Sequence, residues 1–546
     1  MNDIRTDQTG PVSAGHMIVR QLEHEGVERA YTVPGESFLD VLDGLHDSSI
    51  ETIVARHEGG AGFMALAEGR LTGIPGVAMV TRGPGAANAF IAVHTAWQDA
   101  SPMLLLVGLV PIPDRGREAF QEFDLRGWFG PTAKWVTKLD DPAAATRVIS
   151  EGMRIAASGR PGPVVIGLPE DLIREASDPD IVPPTPPRHA SGSQREMDEL
   201  HERLSRAERP LVVVGGDGWH GETGARVAAW AGSRGLPIAA HWRSHDAVPH
   251  DHEAGAFVGI LGHNHADYIA DLFDESDLHV FVGLPRGDVV SGGFSVGLDV
   301  PAIVVAPGEP VGHAGRLDRH IPADIAAWAA TLPEPSSPPS RGRLDRLEDA
   351  RATFERYRQI EPLHPATGVD VSVAMGVLRE RLEDDAIITF GAGNYMQWPI
   401  RYLSHNAPGT LVAPRNGAMG VGVPASVAAS LVHPGRQVVS LAGDGCFMMN
   451  CQELNTAVTY GAKPLTIVFD NGMFGTIREH QEHWYPGRRS GTTLENPDFA
   501  AMARSFGCFG ERVERTEDFA PALERALASD RAAVLHLLQD PEHLSP

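Results

Sequence analysis

Two polar segments, each directly after an apolar run, constrain how this chain can fold. The runs at 437–442 and 465–469 predict two strands, and the residues between them predict a helix. Strands joined in this way form a parallel sheet, and ligands bind at the carboxyl ends of its strands. Gly443-Asp444-Gly445-Cys446 follows the first run, and Asp470-Asn471-Gly472-Met473-Phe474 follows the second. The sequence therefore predicts an α/β fold with a ligand site at these strand ends.

The residue types at these strand ends suit a diphosphate and a divalent cation. Gly445 lets the backbone approach a ligand closely, and the helix that follows presents free N–H groups to an anion. Asp444 and Asn471 each offer a hard oxygen, which suits Mg²⁺ or Ca²⁺. Either turn alone is common, but the two together at neighbouring strand ends favour a diphosphate–metal clamp.

The Gly-Asp-Gly run, followed by 25 residues and then Asn471, resembles the thiamin-diphosphate (ThDP) motif. Its surroundings resemble the acetolactate synthase-like branch of the ThDP-dependent enzymes. The resemblance implies that Asp444, Asn471 and the carbonyl of Met473 bind Mg²⁺. It also implies that the segments around both turns hold the cofactor, through Gly443, Asp444, Gly445, Cys446, Asn471, Met473 and Phe474.

Length and linkers predict three domains. A chain of 546 residues is too long to fold around a single hydrophobic core. Proline-rich segments at 177–192 and from 333 onward predict boundaries that leave domains at 1–180, 193–332 and 362–546. Each part alternates short apolar runs with longer amphipathic ones, which predicts three doubly wound parallel-sheet α/β domains. By resemblance these are the pyrimidine-binding, central and diphosphate-binding domains.

Charge and cysteine content limit the partners. A net charge of −25 without a polybasic run argues against nucleic acid and against an anionic membrane surface. No run approaches the ~18 apolar residues of a membrane span. Three cysteines form neither a disulfide framework nor a metal-site spacing, and the polar amino terminus lacks a signal-peptide core. We therefore expect a cytoplasmic protein that acts on small molecules.

Glu58 is the candidate catalytic residue. It follows a predicted strand at 51–55 and begins a predicted helix, where a carboxylate is common for the helix dipole alone. The run Arg56-His57-Glu58 resembles the activating-glutamate segment of the family. The resemblance implies that Glu58 hydrogen-bonds a ring nitrogen of the cofactor's pyrimidine and so promotes loss of its C2 proton.

Other strand ends of the first domain add cofactor and substrate candidates. A Gly-Pro-Gly turn after the strand at 77–80 would let a planar ligand approach, although it also suits any tight turn. By resemblance this turn lies beside the cofactor, through Gly83, Pro84, Gly85 and Asn88. The resemblance also implies that Phe120 and Gln121 contact substrate; a surface helix is the alternative. Gly35, after the strand at 30–33, is the further substrate candidate here.

The middle domain carries a G-x-G-x-x-G run at 216–221, after a predicted strand at 211–214. A nicotinamide cofactor requires an acidic residue at the end of the next strand, 236–240. That strand is followed by His241, so a nicotinamide-dependent oxidoreductase is disfavoured. The segment 259–263 resembles the flavin-contact loop of acetolactate synthases, which leaves FAD or an ADP group as a lesser alternative.

The third domain supplies further cofactor candidates. Gly391, Gly393 and Asn394 follow a predicted strand at 386–390, where small residues suit a phosphate oxygen. By resemblance, the carbonyl of Gly417 receives the cofactor's amino group and Met419 props the two cofactor rings into a bent shape. Met419 taken alone would be a core residue. Ile477 and His480 are predicted to contact substrate near the mouth of the site.

The predicted chemistry is cleavage or formation of a C–C bond next to a carbonyl, most specifically 2-oxo acid decarboxylation with carboligation. A non-ligating decarboxylase or an acyloin lyase is the alternative, because Arg478-Glu479-His480 lacks the Trp that acetolactate synthases use for the second 2-oxo acid. The expected substrates are 2-oxo acids or aldehydes. The resemblance also implies a homodimer or a dimer of dimers with active sites shared between chains.

Overall fold

The computed structural model describes residues 12–187, 190, 192–216, 218–335 and 337–546. Three parallel six-stranded sheets lie in two compact units. The first unit comprises the residues up to 187 apart from 98–100 and contains the first sheet; the second unit contains the other two sheets. The expected α/β class with three parallel sheets is confirmed. Asp217, in the middle-domain glycine motif, lies outside the described residues.

The first sheet has the strand order β2-β1-β3-β4-β6-β5. Its strands are β1 Arg29–Thr32, β2 Glu51–Val54, β3 Gly76–Val80, β4 Met103–Leu109, β5 Trp135–Lys138 and β6 Pro163–Pro169. The helices of this part of the chain are α1 Ala14–His24, α2 Leu39–His46, α3 Glu58–Thr72, α4 Gly83–Asp99, α5 Leu125–Phe129, α6 Ala145–Ala157 and α7 Glu170–Arg174.

The second sheet has the order β12-β11-β10-β7-β8-β9. Its strands are β7 Pro210–Val214, β8 Ile238–His241, β9 Phe257–Leu261, β10 Leu278–Val282, β11 Ala302–Ala306 and β12 Arg319–Pro322. The helices around it are α8 Gln194–Arg206, α9 Thr223–Gly232, α10 Asp267–Asp274, α11 Ile325–Ala330 and the connector α12 Arg341–Tyr357.

The third sheet has the order β14-β13-β15-β16-β18-β17. Its strands are β13 Ile387–Phe390, β14 Leu411–Val412, β15 Val438–Gly443, β16 Leu465–Asp470, β17 Phe509–Val513 and β18 Ala533–Leu538. Its helices are α13 Val371–Arg379, α14 Gln397–Tyr402, α15 Gly422–Val432, α16 Asp444–Phe447, α17 Glu453–Tyr460, α18 Gly475–Trp484, α19 Phe499–Ser505 and α20 Thr516–Leu527.

Burial on both faces explains the strand sequences. All seven residues of β4 and all seven of β6 are buried, which requires near-continuous apolar runs instead of alternation. Helix α3 is rich in glycine and alanine because it packs closely against the sheet: a Cβ atom added at Gly69 would lie 2.0 Å from the carbonyl oxygen of Pro102. This close packing fixes the start of α3, and therefore Glu58, at the edge of the sheet.

No helix in the described part of the chain is long and apolar enough to cross a membrane.

Candidate active site

Glu58 begins helix α3 just after strand β2, at the carboxyl edge of the first sheet. The ring of His57 caps the helix by accepting a hydrogen bond from the backbone N–H of Gly59 at 3.0 Å. Oε2 of the half-buried Glu58 accepts a hydrogen bond from Nδ2 of Asn88 at 2.9 Å. A Cβ atom added at Gly85 would lie 3.5 Å from Oε1 of Glu58. Two of the predicted cofactor residues, Asn88 and Gly85, therefore adjoin the predicted catalytic glutamate.

The predicted cofactor turn and the predicted substrate segment are in contact. The backbone N–H of Gly83 donates to the carbonyl of Gln121 at 3.0 Å, and Pro84, next in the turn, is exposed. Gln121 has a φ of 65° and belongs to an irregular loop, so the surface-helix alternative for this segment is wrong. The neighbouring Phe120 is 75% exposed, so its ring is free to contact a ligand.

Gly35 packs against the same edge of the first sheet. A Cβ atom at Gly35 would lie 2.5 Å from Cβ of Thr81, the residue that follows strand β3. The hydroxyl groups of Ser37 and Thr81 are also 2.9 Å apart. The absence of a side chain at Gly35 therefore allows the segments after β1 and β3 to touch.

The third sheet carries an acidic pair at its carboxyl edge, the buried Asp444 and the half-buried Asp470. Asp444 follows β15 and is 3% exposed; its Oδ1 accepts from the backbone N–H of Gly445 at 2.7 Å. Nδ2 of Asn496 donates to Oδ2 of Asp444 and to Oδ1 of Asp470, each at 2.8 Å. The other oxygen of Asp470 lies 2.8 Å from Nε2 of His536. Asn496 therefore connects the residues at the ends of β15 and β16.

The two carboxyl groups differ in pKa. Burial raises the pKa of Asp444 to about 6, against the opposing hydrogen bonds from Gly445 and Asn496. Burial also acts to raise the pKa of Asp470, but hydrogen bonds from His536 and Asn496 outweigh it and hold that pKa below its ordinary value. Asp444 is thus a buried carboxyl group whose ionised form a nearby cation would stabilise.

The segment after β16 places the other predicted metal ligands near Asp444. Oδ1 of Asn471 accepts from the backbone N–H of Met473 at 3.1 Å. Met473 also forms an isolated bridge with Thr493, and the N–H of Phe474 donates to the carbonyl of Thr492 at 2.9 Å. A Cβ atom at Gly445 would lie 2.5 Å from the Phe474 ring, so Gly445 allows the two turns to pack together.

The turn after β13 surrounds the thiol of Cys446. Sγ of Cys446 lies 3.4 Å from the hydroxyl of Tyr395 and accepts from the backbone N–H of Gly420 at 3.2 Å. A Cβ atom at Gly391 would lie 2.4 Å from this sulfur. A Cβ atom at Gly443 would meet the Tyr395 ring at 2.9 Å. These contacts explain the requirement for glycine at both positions.

Asn394 is a buried donor at the same edge. It is 6% exposed and follows Gly393, which has a φ of 145°. Its Oδ1 accepts a hydrogen bond from Thr476. Its Nδ2 has no hydrogen-bond partner among the described residues. A buried amide without a partner is destabilising unless a ligand accepts its hydrogen bond.

The remaining predicted residues of the third domain differ in exposure. Gly417 has a φ of 70°, and a Cβ atom there would meet nothing within 4 Å, so its backbone faces open space. Met419 is partly buried against the core of this domain. Ile477 is 53% exposed and His480 is also exposed, both on helix α18.

The central sheet has the strand order of dinucleotide-binding folds, 3-2-1-4-5-6 within the sheet. The backbone groups at its glycine loop, however, are hydrogen-bonded to side chains of the same domain. Oγ of Ser244 accepts from the N–H of Gly216 at 3.1 Å, and the buried indole of Trp219 donates to the carbonyl of Gly215 at 2.9 Å. Strand β8 ends at His241, which is not acidic. These residues do not fit a nicotinamide cofactor.

The expected flavin-contact loop is also filled. A Cβ atom at Gly262 would lie 2.4 Å from Cβ of Trp242, and the Trp242 and His263 rings meet edge to face at 5.0 Å. The cavity beside them measures about 60 Å³, whereas cofactor pockets measure roughly 300 Å³ or more. FAD is therefore not supported.

The residues of the third sheet edge do fit ThDP with a divalent cation. No group of three or more histidine, cysteine, aspartate or glutamate side chains in the described ranges is arranged to hold a metal ion. A metal site here would instead combine one carboxylate with amide and backbone oxygens, a donor set that suits Mg²⁺. The unpartnered amide of Asn394 offers a donor to an anionic group.

Comparison with known proteins defines the class. Residues 12–127, 197–326 and 391–537 match the N-terminal TPP binding domain, the central domain and the C-terminal TPP binding domain of thiamine pyrophosphate enzymes. The chain belongs to the family of thiamine pyrophosphate-dependent enzymes that includes the acetolactate synthases. The expected ThDP-dependent class is confirmed.

Its relatives cover nearly the whole chain. It is 28% identical to the acetolactate synthase isozyme 2 large subunit of Escherichia coli strain K12, over 97% of this chain and 96% of that subunit. It is 31% identical to the acetolactate synthase large subunit of Parasynechococcus marenigrum strain WH8102, over 96% and 87%. It is 30% identical to an acetolactate synthase of Mycobacterium avium, over 96% and 87%.

Sequence reasoning missed Asn496 and the Asp470–His536 pair. Asn496 lies in a loop 25 residues beyond Asn471, and nothing in its neighbourhood resembles a motif. Asp470 immediately precedes Asn471, so its position at a strand end was the available signal. His536 lies in the middle of the apolar strand β18, where a lone polar residue indicates a specific partner on a neighbouring strand.

Proposed function

We propose that this enzyme is a Mg²⁺-dependent ThDP carboligase: it decarboxylates a 2-oxo acid and joins the remaining acyl unit to a second carbonyl compound. One observation carries the proposal. Asp444, a buried carboxyl group, and Asn394, a buried amide donor without a partner, lie at the carboxyl ends of neighbouring strands of one sheet. A cation and an anion bound together would stabilise both, as a metal diphosphate does. The acetolactate synthase names of the relatives support the carboligase chemistry.

Each residue at the third sheet edge has a proposed binding role. Asp444, Asn471 and the carbonyl of Met473 hold Mg²⁺. The small residues of the turns and Asn394 receive the diphosphate, and the carbonyl of Gly417 accepts from the cofactor's amino group. Met419, packed against the core of this domain, would support the rings of the cofactor. We propose that the chain has three domains: a pyrimidine-binding domain at 1–180, a central domain at 193–332 and a diphosphate-binding domain at 362–546.

ThDP, when bound, supplies a nucleophilic carbon and an electron sink for decarboxylation. Glu58 holds a proton between its Oε1 and a pyrimidine nitrogen of the cofactor. Asn88 orients the carboxyl group through Oε2, which leaves Oε1 available, and Gly85 keeps the space beside Oε1 free of a side chain.

The proposed substrate residues of the first domain, Gly35, Phe120 and Gln121, form one wall of the substrate site. Ile477 and His480, both exposed on α18 of the third domain, are the other proposed substrate residues. The exposed ring of Phe120 supplies an apolar contact that keeps water from the reacting carbon. Gln121 supplies a hydrogen bond to the substrate carbonyl.

Product analysis tests the function directly. The protein is incubated with ThDP, Mg²⁺ and a panel of 2-oxo acids, with and without aldehyde acceptors, and both CO₂ and carbon-bonded products are measured. An acetohydroxyacid or acyloin assigns the transferase or carboligase class. Release of the free aldehyde alone would replace the proposal with a non-ligating decarboxylase, and acyloin cleavage would make the enzyme a lyase.

Chelation tests the metal. We expect EDTA followed by dialysis to release ThDP, and Mg²⁺ to restore binding, because the diphosphate and Asp444 both need a cation. Asp444→Ala should lose the Mg²⁺-dependent part of the affinity. Equal ThDP affinity in Asp444→Ala and wild-type protein would remove Asp444 from the clamp.

We also propose a homodimer or a dimer of dimers in which two chains complete each site. Mixing Glu58→Ala chains with Asp444→Ala chains tests this, because a mixed dimer then has one site with both lesions and one intact site. Random exchange makes about half the dimers mixed, so activity should return to about a quarter of the wild-type value. No recovery, once tagged pull-down has verified exchange, would confine both residues to one chain.

A further inference from the structure

A cavity of about 760 Å³ lies within the first unit, beside the carboxyl ends of β4 and β5. It is lined by Gln121 and by three cationic side chains, Arg82, Arg115 and Lys138. Its volume is in the range of small-molecule sites. Three carboxylates, Glu118, Glu122 and Asp124, line it as well, so the question is which of these charged groups are left without a partner.

Two of the three acidic residues in the lining, Glu122 and Asp124, are hydrogen-bonded to the loop itself. Glu122 accepts backbone hydrogen bonds from Gly116 and from Ala119, and the N–H of Gly116 in particular holds its pKa below the ordinary value. Asp124 accepts from the backbone N–H of Arg126 at 3.1 Å. These two carboxylates stay charged, but their hydrogen bonds go to the loop backbone, and among the described residues no carboxylate of the lining forms an ion pair with Arg82, Arg115 or Lys138.

Several polar atoms of the lining residues are buried without a partner. Within the described chain, Nε of Arg82, Nη2 of Arg115 and Oε1 of Gln121 make no hydrogen bond. Buried guanidinium groups retain such donors at a free-energy cost unless a ligand accepts from them.

The three cationic side chains differ in how strongly other residues of the protein already hold them. Arg82 is 9% exposed and is fixed by ion pairs with Glu170 and, at 3.4 Å, with Glu36. In the described part of the chain, the one ion pair of Arg115 is a long contact with Asp140 at 3.9 Å. Lys138 is exposed and makes no ion pair among the described residues. Arg115 and Lys138 are therefore the side chains available to a ligand.

We propose that this cavity binds a second anionic group, a carboxylate, sulfonate or phosphate, on one of the two carbonyl substrates. The inference rests on the proposed function, because Gln121 connects the cavity to the proposed substrate wall. The donor's carboxylate next to the reacting carbonyl leaves as CO₂, so on the donor these cations serve a different anionic group, one that stays on the substrate. A purely apolar substrate would instead leave the guanidinium donors buried and unpaired.

Matched substrates test the proposal. Each pair consists of two 2-oxo acids of equal length, one with a second anionic group and one without; the first pair is 2-oxoglutarate and 2-oxopentanoate. Each compound is tested as donor and as acceptor with pyruvate, and kcat/KM is measured for each. Arg115→Gln should lower the ratio of anionic to neutral kcat/KM by about 10- to 100-fold, the worth of a charged hydrogen bond. Lys138→Gln should shift the ratio in the same direction by a smaller factor.

Arg117→Gln is the matched control. Arg117 lies two positions along the same loop, pairs only with Asp114 at 3.6 Å among the described residues, and does not line the cavity. Its substitution should leave the ratio unchanged. Thermal denaturation verifies that Arg115→Gln and Lys138→Gln are folded. If both folded variants give the wild-type ratio, the proposal of an anion subsite in this cavity is wrong.

A binding measurement separates this inference from the proposed function. Calorimetry of the wild-type protein with succinate, ethanesulfonate and ethyl phosphate should detect binding of at least one, lost in Arg115→Gln and kept in Arg117→Gln. The strongest of the three identifies the anion. Arg115-dependent binding without turnover of any 2-oxo acid would refute the function and retain the subsite; turnover with no Arg115-dependent binding or ratio change would refute the subsite alone.

Discussion

The first and third sheets have the same strand order, yet their carboxyl edges carry different chemistry. In each sheet the strands, numbered along the chain, are arranged 2-1-3-4-6-5. The first edge presents Glu58 after its second strand, and the third presents Asp444 after its third strand. Shared topology thus provides two ligand edges, and the local residues decide what each one binds.

Burial separates the two carboxyl groups. Glu58 is half-buried and has one hydrogen bond from Asn88, with its second oxygen beside a glycine. Asp444 is almost fully buried, with hydrogen bonds to both oxygens and a second carboxyl group bonded to the same Asn496. The comparison teaches that an accessible oxygen suits proton sharing, whereas a buried, crowded one suits a cation.

The largest expected effect is at the first edge. Glu58→Gln should slow deuterium exchange at C2 of bound ThDP by about 10²- to 10⁴-fold, because an amide cannot share a proton with the ring nitrogen. Cofactor affinity should remain near that of the wild type. Glu51→Gln, on the preceding strand, is the control and should exchange at the wild-type rate. Exchange at the wild-type rate in Glu58→Gln would show that Glu58 does not share a proton with the cofactor, and the proposed difference between the two sheet edges would be wrong.

A smaller effect is expected from Asn496→Leu at the third edge. Removing the amide leaves Asp444 and Asp470 without their shared donor, so Mg²⁺ affinity should fall by about 10- to 100-fold, as for other residues that orient metal ligands. Mg²⁺-dependent ThDP binding by fluorescence titration measures this. Asn406→Leu removes an exposed amide elsewhere and should have no effect. An unchanged affinity in Asn496→Leu would show that Asn496 does not orient the ligand.

The pH dependence of metal binding is the next test. Because burial raises the pKa of Asp444 to about 6, its carboxylate is protonated as pH falls through that value, two units above an ordinary aspartate. Mg²⁺ needs the ionised form, so its affinity should be constant above pH about 7 and fall by about tenfold per unit below pH about 6. Titrations from pH 5 to 8 measure it. A fall that begins only near pH 4 would contradict the raised pKa.

The smallest effects concern the glycines at the two edges. Gly445→Ala should weaken ThDP binding and lower stability by about 1–3 kcal/mol, since its Cβ would lie 2.5 Å from the Phe474 ring. Gly85→Ala should cost less than about 1 kcal/mol, because its nearest neighbour is a methyl group of Thr81 at 3.1 Å. Denaturant unfolding compares them. Equal losses would indicate that the two edges are packed alike.

Sequence patterns predicted the strand ends at the site well because strands β3, β15 and β16 are short apolar runs buried between helices. The strand predicted at 465–469 is Leu465–Asp470, and that predicted at 386–390 is Ile387–Phe390. The clamp followed from the same logic, since both turns occur at strand ends. The placement of Asn496 could not be predicted, because a loop residue reaches its partners only through tertiary packing.

In the central sheet, a sequence motif predicted the backbone shape but not whether a ligand can bind there. Its glycine motif has the spacing of a dinucleotide loop, and the observed strand order agrees with one. Only the packing reveals that Trp219 and Ser244 take up the loop's own polar groups. A motif specifies a backbone shape, and whether that shape is left open for a ligand depends on side chains distant in sequence.

The contact between Gly391 and Cys446 has an evolutionary consequence. Because a Cβ atom at position 391 would lie 2.4 Å from Sγ of Cys446, the two positions cannot both carry bulk. An alanine at 391 requires a glycine or alanine at 446 first, so the order of substitutions is restricted. Among homologous chains these two positions should therefore covary, with 446 changing before 391 in every lineage that alters both.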